Sequence, residues 1–275
     1  MIDLSIVIPA YNDPRLDECL KSIDAEAEII VALNGATKQV EDIAKKHNTK
    51  MVHLPVPNLA KAYNEGIKAS SKNNVLLMDS DCIFRRGCIA TLYKMLSEHP
   101  LAKGRVLFAY RSKREKIIAT SRHIHTAKKN AYSPPLAFRK NIVDQIDGYY
   151  FDEQINWTED YDFDARVRKA NLSIGYDDSA RVVHPALSLY GDLKSSYNYG
   201  KGQARGVQLG KEWYAPPERI FKNMIKSWTP LKNKFGTGVA AYLALWQISF
   251  FLGFKKESKA TERGVKKNGS ANTTV

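Results

Sequence analysis

Val75-Leu76-Leu77-Met78-Asp79-Ser80-Asp81-Cys82 is the stretch from which the fold is read. Four successive apolar residues mark a strand buried on both faces, as inside a parallel sheet. The run then ends in two carboxylates one residue apart. Carboxylates avoid burial unless paired or bound to a cation, so a core strand emptying into Asp-Ser-Asp marks a place for a positive ion. Alternate residues of an extended chain point the same way, so Asp79 and Asp81 are placed to face one ion together. Hard oxygen donors suit Mg2+ or Mn2+, which complete their shells with water and phosphate. The same residues also read as a polar turn in which Asp81 caps the helix near Ile89.

Upstream, Leu4–Pro9 reads as a short apolar strand followed by the turn residues Tyr11-Asn12-Asp13-Pro14. Leu16, Leu20 and Ile23 share a helix face, Glu28–Leu33 is a second buried strand ending at Asn34-Gly35, and a helix follows near Gln39–His47. A strand at Lys50–Leu54 comes next, then a helix through Ala60–Ser70 with Asn58 as its cap. Gly87–Ser97 is again helical. Alternating strands and helices imply right-handed crossovers and a mostly parallel sheet, whose ligands lie off the carboxyl ends of the strands. Those ends are Pro9–Tyr11, Asn34-Gly35 and Asp79–Asp81, three stretches converging on one edge as a phosphate-plus-metal site.

Downstream, Arg105–Tyr110 reads as a strand, Ile117–Asn130 as a basic helix or loop, and Lys140–Ile146 as a helix. His123 and His125 are placed in a loop. Ser173–Tyr176 and Arg181–His184 read as two short strands, and the pattern from Leu187 onward is helical. The 275 residues carry a net charge of +13, with a pI near 9.5. A basic excess points to nucleic acid, anionic lipid or phosphorylated small molecules. No zinc-finger spacing or RNA-recognition signature accompanies it, so no nucleic-acid partner is expected. Cys19, Cys82 and Cys88 are odd in number and form no metal-ligand pattern, which fits a reducing cytosol. The chain enters Ile2–Pro9 without a basic n-region, so no secretion signal is expected.

Four motifs occur in an order that resembles the inverting family 2 glycosyltransferases of GT-A fold: Ser5-Ile-Val-Ile-Pro-Ala-Tyr-Asn12, Leu59-Ala-Lys-Ala-Tyr-Asn-Glu-Gly66, Asp79-Ser-Asp81 and Trp157-Thr-Glu-Asp160. The resemblance covers roughly residues 1–185. It implies a Rossmann-like, mostly parallel α/β sheet flanked by helices, and sugar transfer, of hexosyltransferase class, from a nucleotide diphosphate with inversion at the anomeric carbon. By that resemblance Pro9, Tyr11 and Asn34 line the nucleoside pocket, Asp79 contacts ribose and metal, and Asp81 ligates the metal. Asp160 is implied as the general base; Glu159 itself reads as orienting the site or pairing with a basic neighbour. Spacing alone reads Thr158-Glu159-Asp160 as an ordinary helix start, its acids and the closing Arg166, Arg168 and Lys169 complementing the dipole. Where the family often reads Asp-Asp-Gly-Ser this chain has Leu33-Asn34-Gly35-Ala36, and Asn34 donates or accepts where a carboxylate only accepts. Where the family often has Arg stands Tyr63, and Lys61 is expected to supply the missing positive charge to a phosphate. His184 reads as a buried histidine after an apolar run, or, by the resemblance, as a further metal ligand. Trp157 reads as an acceptor-site platform beside Asp160 or as an anchor for the helix. A non-catalytic nucleotide-sugar-binding module and a nucleotidyltransferase on the same fold are the alternatives.

Beyond the resemblance, Ile220, Phe221, Met224, Ile225 and Trp228 form an apolar stripe opposite Lys222 and Lys226, a basic amphipathic helix suited to an anionic membrane surface. Val239–Phe254 is apolar nearly all round, and as a helix is about 24 Å long, short of the roughly 30 Å hydrocarbon core. Tyr242, Trp246, Phe250 and Phe254 recur at every fourth position, as at a headgroup boundary; peripheral attachment is the expectation ahead of a true span, and a helix packed on the core or a dimer contact is the alternative. The expected organisation is a catalytic domain at 1–210, a membrane-associating helical region at 211–254 and a disordered basic tail at 255–275. The expected setting is cytoplasmic, peripheral on the inner face of the cell membrane, with a cell-envelope glycan or polyprenyl-linked acceptor.

Overall fold

The computed structural model describes residues 2–126 and 129–271, with side chains described as far as Ala260. The chain forms two compact units. The first comprises Met1–Tyr110, Arg122–Glu153 and Glu159–Ala186; the second comprises Arg111–Ser121, Gln154–Thr158 and Leu187–Val275.

The first unit is built on one eight-stranded sheet. Its strands are β1 (Ser5–Ala10), β2 (Glu28–Asn34), β3 (Lys50–Leu54), β4 (Asn74–Leu77), β5 (Ile83–Phe84), β6 (Leu101–Phe108), β7 (Leu136–Arg139) and β8 (Ile174–His184), in the order β3-β2-β1-β4-β7-β6-β8-β5. The first four strands pair in parallel, with Ser5 opposite both Glu28 and Val75. Between them lie α1 (Leu16–Lys21), α2 (Lys38–Lys46) and α3 (Leu59–Ala69). Asn58 caps α3 as its type predicts, its Oδ1 accepting the Lys61 N–H at 3.0 Å. Gly66 is required where α3 crosses β1, because a Cβ there would meet Val7 Cγ1 at 2.3 Å.

The second half of the sheet departs from strict alternation. β7 runs antiparallel to both β4 and β6, while β6 and β8 are parallel. Two reversals restore the direction, so β6 and β8 end at the same edge as β1, β2 and β4. The chain after β4 and the chain after β8 therefore meet at that edge. β6 starts at Leu101, four residues before the expected Arg105, because Lys103 and Gly104 interrupt the apolar pattern without breaking the strand. The two short strands expected at Ser173–Tyr176 and Arg181–His184 are one strand beginning at Ile174, with a register irregularity between Lys103 and Arg105 on its neighbour. Lys140–Gln145 is a 3-10 helix, and α4 (Cys88–Met95) is capped at Gly87, whose N–H donates to Asp24 Oδ2 at 2.7 Å. Asp81 therefore does not cap this helix. His123 and His125 lie in α5 (Lys113–Thr126), not a loop.

α6 (Glu159–Lys169) buries its Phe163 and Val167 in the core cluster that contains Phe138 and Phe151. Asp162 and Arg166, both fully buried, pair at 3.0 Å. The guanidinium also donates to the carbonyls of Ile146 at 2.8 Å, Tyr149 at 2.7 Å and Tyr150. Arg166 thus holds the fold, with nearly every donor used, rather than merely complementing the helix dipole.

The second unit contains α7 (Leu189–Gln208), α8 (Ile220–Phe235) and α9 (Thr237–Ala271). α7, counted from sequence with the first 210 residues, belongs here. α9 continues across the expected boundary at 254/255 to Ala271; residues 272–275 of the expected tail lie outside the described residues. Segment 154–158 is held within this unit. Tyr214 donates to Thr158 O at 2.6 Å, and Gly202 admits Asn156 O, which would stand 2.4 Å from a Cβ.

Candidate active site

The acidic edge lies where β4 ends. Met78 is fully buried and its N–H bonds Val7 O at 3.1 Å, so the strand is held until the residue before Asp79. Asp79 and Asp81 do not present alike. Asp79 Oδ1 accepts the Tyr63 hydroxyl at 3.0 Å, and Tyr63 also lies 3.1 Å from Ser133 Oγ. Burial, then the Asp81 charge, pushes the Asp79 carboxyl up to about 6. Tyr63 is almost fully buried, and burial raises its phenol well above the ordinary range, so it remains a donor. The position that lacks the expected Arg thus holds Asp79 by a neutral hydrogen bond.

Asp81 faces the chain ends of β1 and β8. Its Oδ2 lies 3.5 Å from His184 Nε2 and 3.4 Å from Arg15, and its Oδ1 accepts from the Cys82 thiol at 3.6 Å. The other ring nitrogen of His184 lies 2.8 Å from Pro185 O. That carbonyl can only accept, so Nδ1 carries a proton and Nε2 is the ring atom turned toward Asp81. A divalent cation would be ligated by Nε2 and the Asp81 carboxylate together. Donor atoms of Asp81, Cys82 and His184 all lie within 4.8 Å of one another. The residues therefore fit a divalent ion. Asp81 and His184 are brought together, Cys82 lies against them with its thiol donating to Asp81, and Asp79 stands beside them on Tyr63. Arg15 is held by Asp13, whose carboxyl it lowers, with Nε at 2.8 Å from Oδ1.

Pro9 is buried at the end of β1 and Tyr11 is half exposed beyond it. Asn34 ends β2, and its Oδ1 accepts the Asn58 N–H at 2.7 Å, which leaves the amide nitrogen to donate. Lys61 is exposed on the first turn of α3.

Glu159 and Asp160 open α6 in the first unit, and Glu159 is almost fully buried. Asp160 Oδ1 accepts the Tyr161 N–H at 2.8 Å. Burial pushes its carboxyl up to about 7; Lys103 opposes this, while Asp79 and Asp164 add to it. A carboxylate poised near neutrality is matched to taking a proton from an alcohol. Trp157 belongs to the second unit, where it is exposed, has a left-handed backbone (φ 74°) and meets Tyr199 edge-on at 5.8 Å.

Lys103 and Arg15 escaped the sequence reading, and Tyr63 figured there only as the place of a missing Arg. Lys103 is 2 % exposed in the middle of β6, and its ammonium donates to Pro134 O at 2.7 Å and to Tyr132 O. Burial lowers it to about 8, against the pull first of Asp160 and then of Asp79. A lysine inside an otherwise apolar stretch is itself a signal, since such a charge is buried only where something answers it. Tyr63 and Arg15 carried no comparable signal, because their partners are distant in sequence or lie in a turn.

Residues 5–151 match the family described as Glycosyl transferase family 2. A 106-residue stretch is 29% identical to Glycosyltransferase GlyA of Streptococcus pneumoniae serotype 4 (strain ATCC BAA-334 / TIGR4), covering 35% of this chain and only 15% of that relative. Among solved structures, the mannosyltransferase PcManGT from Pyrobaculum calidifontis in complex with GDP-Man and Mn2+ is similar with a TM-score of 0.61 at 15% identity, over 93% of this chain and 86% of that one. S. aureus TarS 1-349 in complex with UDP-GlcNAc is similar with a TM-score of 0.54 at 15% identity, over 96% and 92%. At that identity these two likenesses speak for the fold.

Proposed function

The chain belongs to glycosyl transferase family 2, and from that premise we propose that it moves one sugar from a nucleotide-diphosphate donor to a cell-envelope glycan or lipid-linked acceptor, inverting the anomeric carbon, with Asp160 as general base. The observation that carries the reading is Asp160 itself, a carboxyl at the opening of α6 raised by burial to about 7 and in electrostatic reach of Asp79. In the reaction the acceptor hydroxyl oxygen bonds to the anomeric carbon as its proton passes to Asp160. The bond from that carbon to the diphosphate breaks, and its electron pair leaves on the phosphate oxygen.

A divalent cation, Mn2+ or Mg2+, held by Asp81 and His184 with Asp79 beside them, would neutralise the departing diphosphate as a Lewis acid. Tyr63 fixes Asp79 through its hydroxyl. Pro9 and Tyr11 line the nucleoside pocket, and the Asn34 amide donates to an acceptor atom on the base. Lys61 offers charge to a phosphate. Glu159, buried beside the base, orients the site. The relatives' own ligands, UDP-GlcNAc in one and GDP-Man with Mn2+ in the other, support a nucleotide-sugar donor of this kind. The proposed location is cytoplasmic, peripheral on the membrane.

Asp160→Asn tests the assignment. Nucleoside diphosphate release should fall by about 10²–10⁴-fold while donor binding persists. A variant within tenfold of the wild-type rate, or release of pyrophosphate instead, would remove Asp160 from the role or replace the reaction.

A further inference from the structure

α9 passes the length test for a membrane span: Thr237–Ala260 is 24 residues, about 36 Å of helix, and contains an 18-residue window with a mean hydropathy of 1.4. The contiguous apolar run read from sequence stops at Phe254, and the helix does not. One face of α9, however, is already committed. Tyr242 donates to buried Asp192, Ser196 Oγ to Trp246 O at 2.6 Å, and Ser249 Oγ to Leu193 O at 2.8 Å. Gly200 and Gly253 let the two backbones touch, since a Cβ would stand 1.9 Å from Phe250 O and 1.8 Å from Tyr197 O. Lys201 pairs with Glu257 at 3.6 Å. The partner, α7, is a polar helix, and hydrocarbon does not admit such a companion without further covering.

The opposite face of α9 has no such covering. Leu245, Ile248 and Leu252 are 37–54% exposed. They recur at intervals of three and four, one helical stripe, and Lys255, Lys256 and Lys259 continue that side of the helix. On α8 the apolar stripe of the sequence reading divides in two. Ile220 and Met224 are half-buried, while Phe221, Ile225 and Trp228 are 52%, 77% and 38% exposed. Phe221 meets Phe251 of α9 edge-on at 5.4 Å, so the two helices are neighbours. Between residues 217 and 260 there are eight Lys or Arg against two acids. Neighbouring apolar stripes carrying this charge complement an anionic lipid surface and not another basic protein face.

We propose that α8 and the outer face of α9 form an in-plane anchor, seating Phe221, Ile225, Trp228, Leu245, Ile248 and Leu252 among the acyl chains of an anionic bilayer while neighbouring lysines meet its headgroups. α9 does not span. The proposal gives the peripheral location a surface and a mode. It does not depend on the chemistry at Asp160, and reading donor binding on the same variants tells the two failures apart.

The full chain is sedimented with phosphatidylcholine vesicles and with vesicles also containing phosphatidylglycerol, following Trp fluorescence. Binding is expected only with phosphatidylglycerol, reduced by salt and unaffected by free inorganic phosphate. Ile225→Asp, at an exposed position, should lower partitioning by about tenfold or more with unchanged melting temperature and unchanged nucleoside-diphosphate thermal shift. Lys222→Glu with Lys226→Glu should lower it about tenfold or more. Alkaline carbonate should release the native protein from cell membranes. Three results would each overturn the proposal: Ile225→Asp binding as wild type, a protein that carbonate fails to release, or no vesicle binding together with a dimer that Ile225→Asp dissociates.

Discussion

Replacing Asp160 with Asn separates the base from the fold that holds it. The carboxyl is raised from 3.8 to about 7, chiefly by burial, which corresponds to about 4 kcal/mol in favour of the neutral acid. An acid whose folded value lies above its unfolded one favours the folded state at low pH and loses that contribution as pH rises from near 4 through about 7. Asn carries no charge to desolvate and keeps an acceptor for the Tyr161 N–H, though a weaker one. Allowing for that bond, the gain at pH 8 is about 1–2 kcal/mol, a rise of about 2–6 °C in melting temperature. Near pH 4 the two proteins should melt together. Turnover moves the other way, falling by about 10²–10⁴-fold, and the rise of wild-type rate through about pH 7 disappears. Differential scanning calorimetry across pH and coupled detection of nucleoside diphosphate read the two effects. An Asn variant that melts below wild type at pH 8, or keeps the wild-type pH profile, would refute the reasoning.

Other perturbations test neighbouring residues. Lys103→Met removes the buried cation that opposes protonation of Asp160, so the acid limb of the rate profile should move to higher pH; an unmoved limb would deny the coupling. Tyr63→Phe deletes the hydroxyl that bonds Asp79 and meets Ser133, costing about 1–3 kcal/mol in denaturant unfolding and weakening Mn2+ binding measured by calorimetry. Asp162→Ala leaves the fully buried Arg166 without its carboxylate and should cost about 3–5 kcal/mol, visible as unfolding or a large loss of melting temperature. Asn34→Asp replaces the amide that is left to donate, and should reduce the thermal shift given by the preferred nucleoside diphosphate.

β1, β2 and β4 were legible because each is an apolar run closed by turn or capping residues, and β3 (Lys50–Leu54) because Met51, Val52 and Leu54 lie between turn residues; the Asn58 cap and Asp79-Ser-Asp81 edge fell where expected. The second half was less so. β7 is a four-residue strand paired antiparallel to strands far away in sequence, and no local period reveals such a partner. Lys103 concealed the start of β6 because a single cation resembles a strand end until its carbonyl partners at Tyr132 and Pro134 are known. Within the site, the edge and its acids could be read from spacing, whereas the roles of Tyr63, Arg15 and Cys82 depend on contacts that only folding creates. The stripe at 220–228 was recognised as amphipathic, but its division into half-buried and exposed residues follows from the neighbour α9.

The central claim is that the strand edge carrying Asp81 and His184 holds a divalent ion together with the nucleotide. Anomalous diffraction from crystals soaked with Mn2+ and the nucleoside diphosphate that most raises the melting temperature tests it directly. The account predicts a manganese peak at coordination distance from the Asp81 carboxylate and His184 Nε2, shared with the diphosphate. A bound nucleotide with manganese elsewhere, or with none beside Asp81, would contradict it.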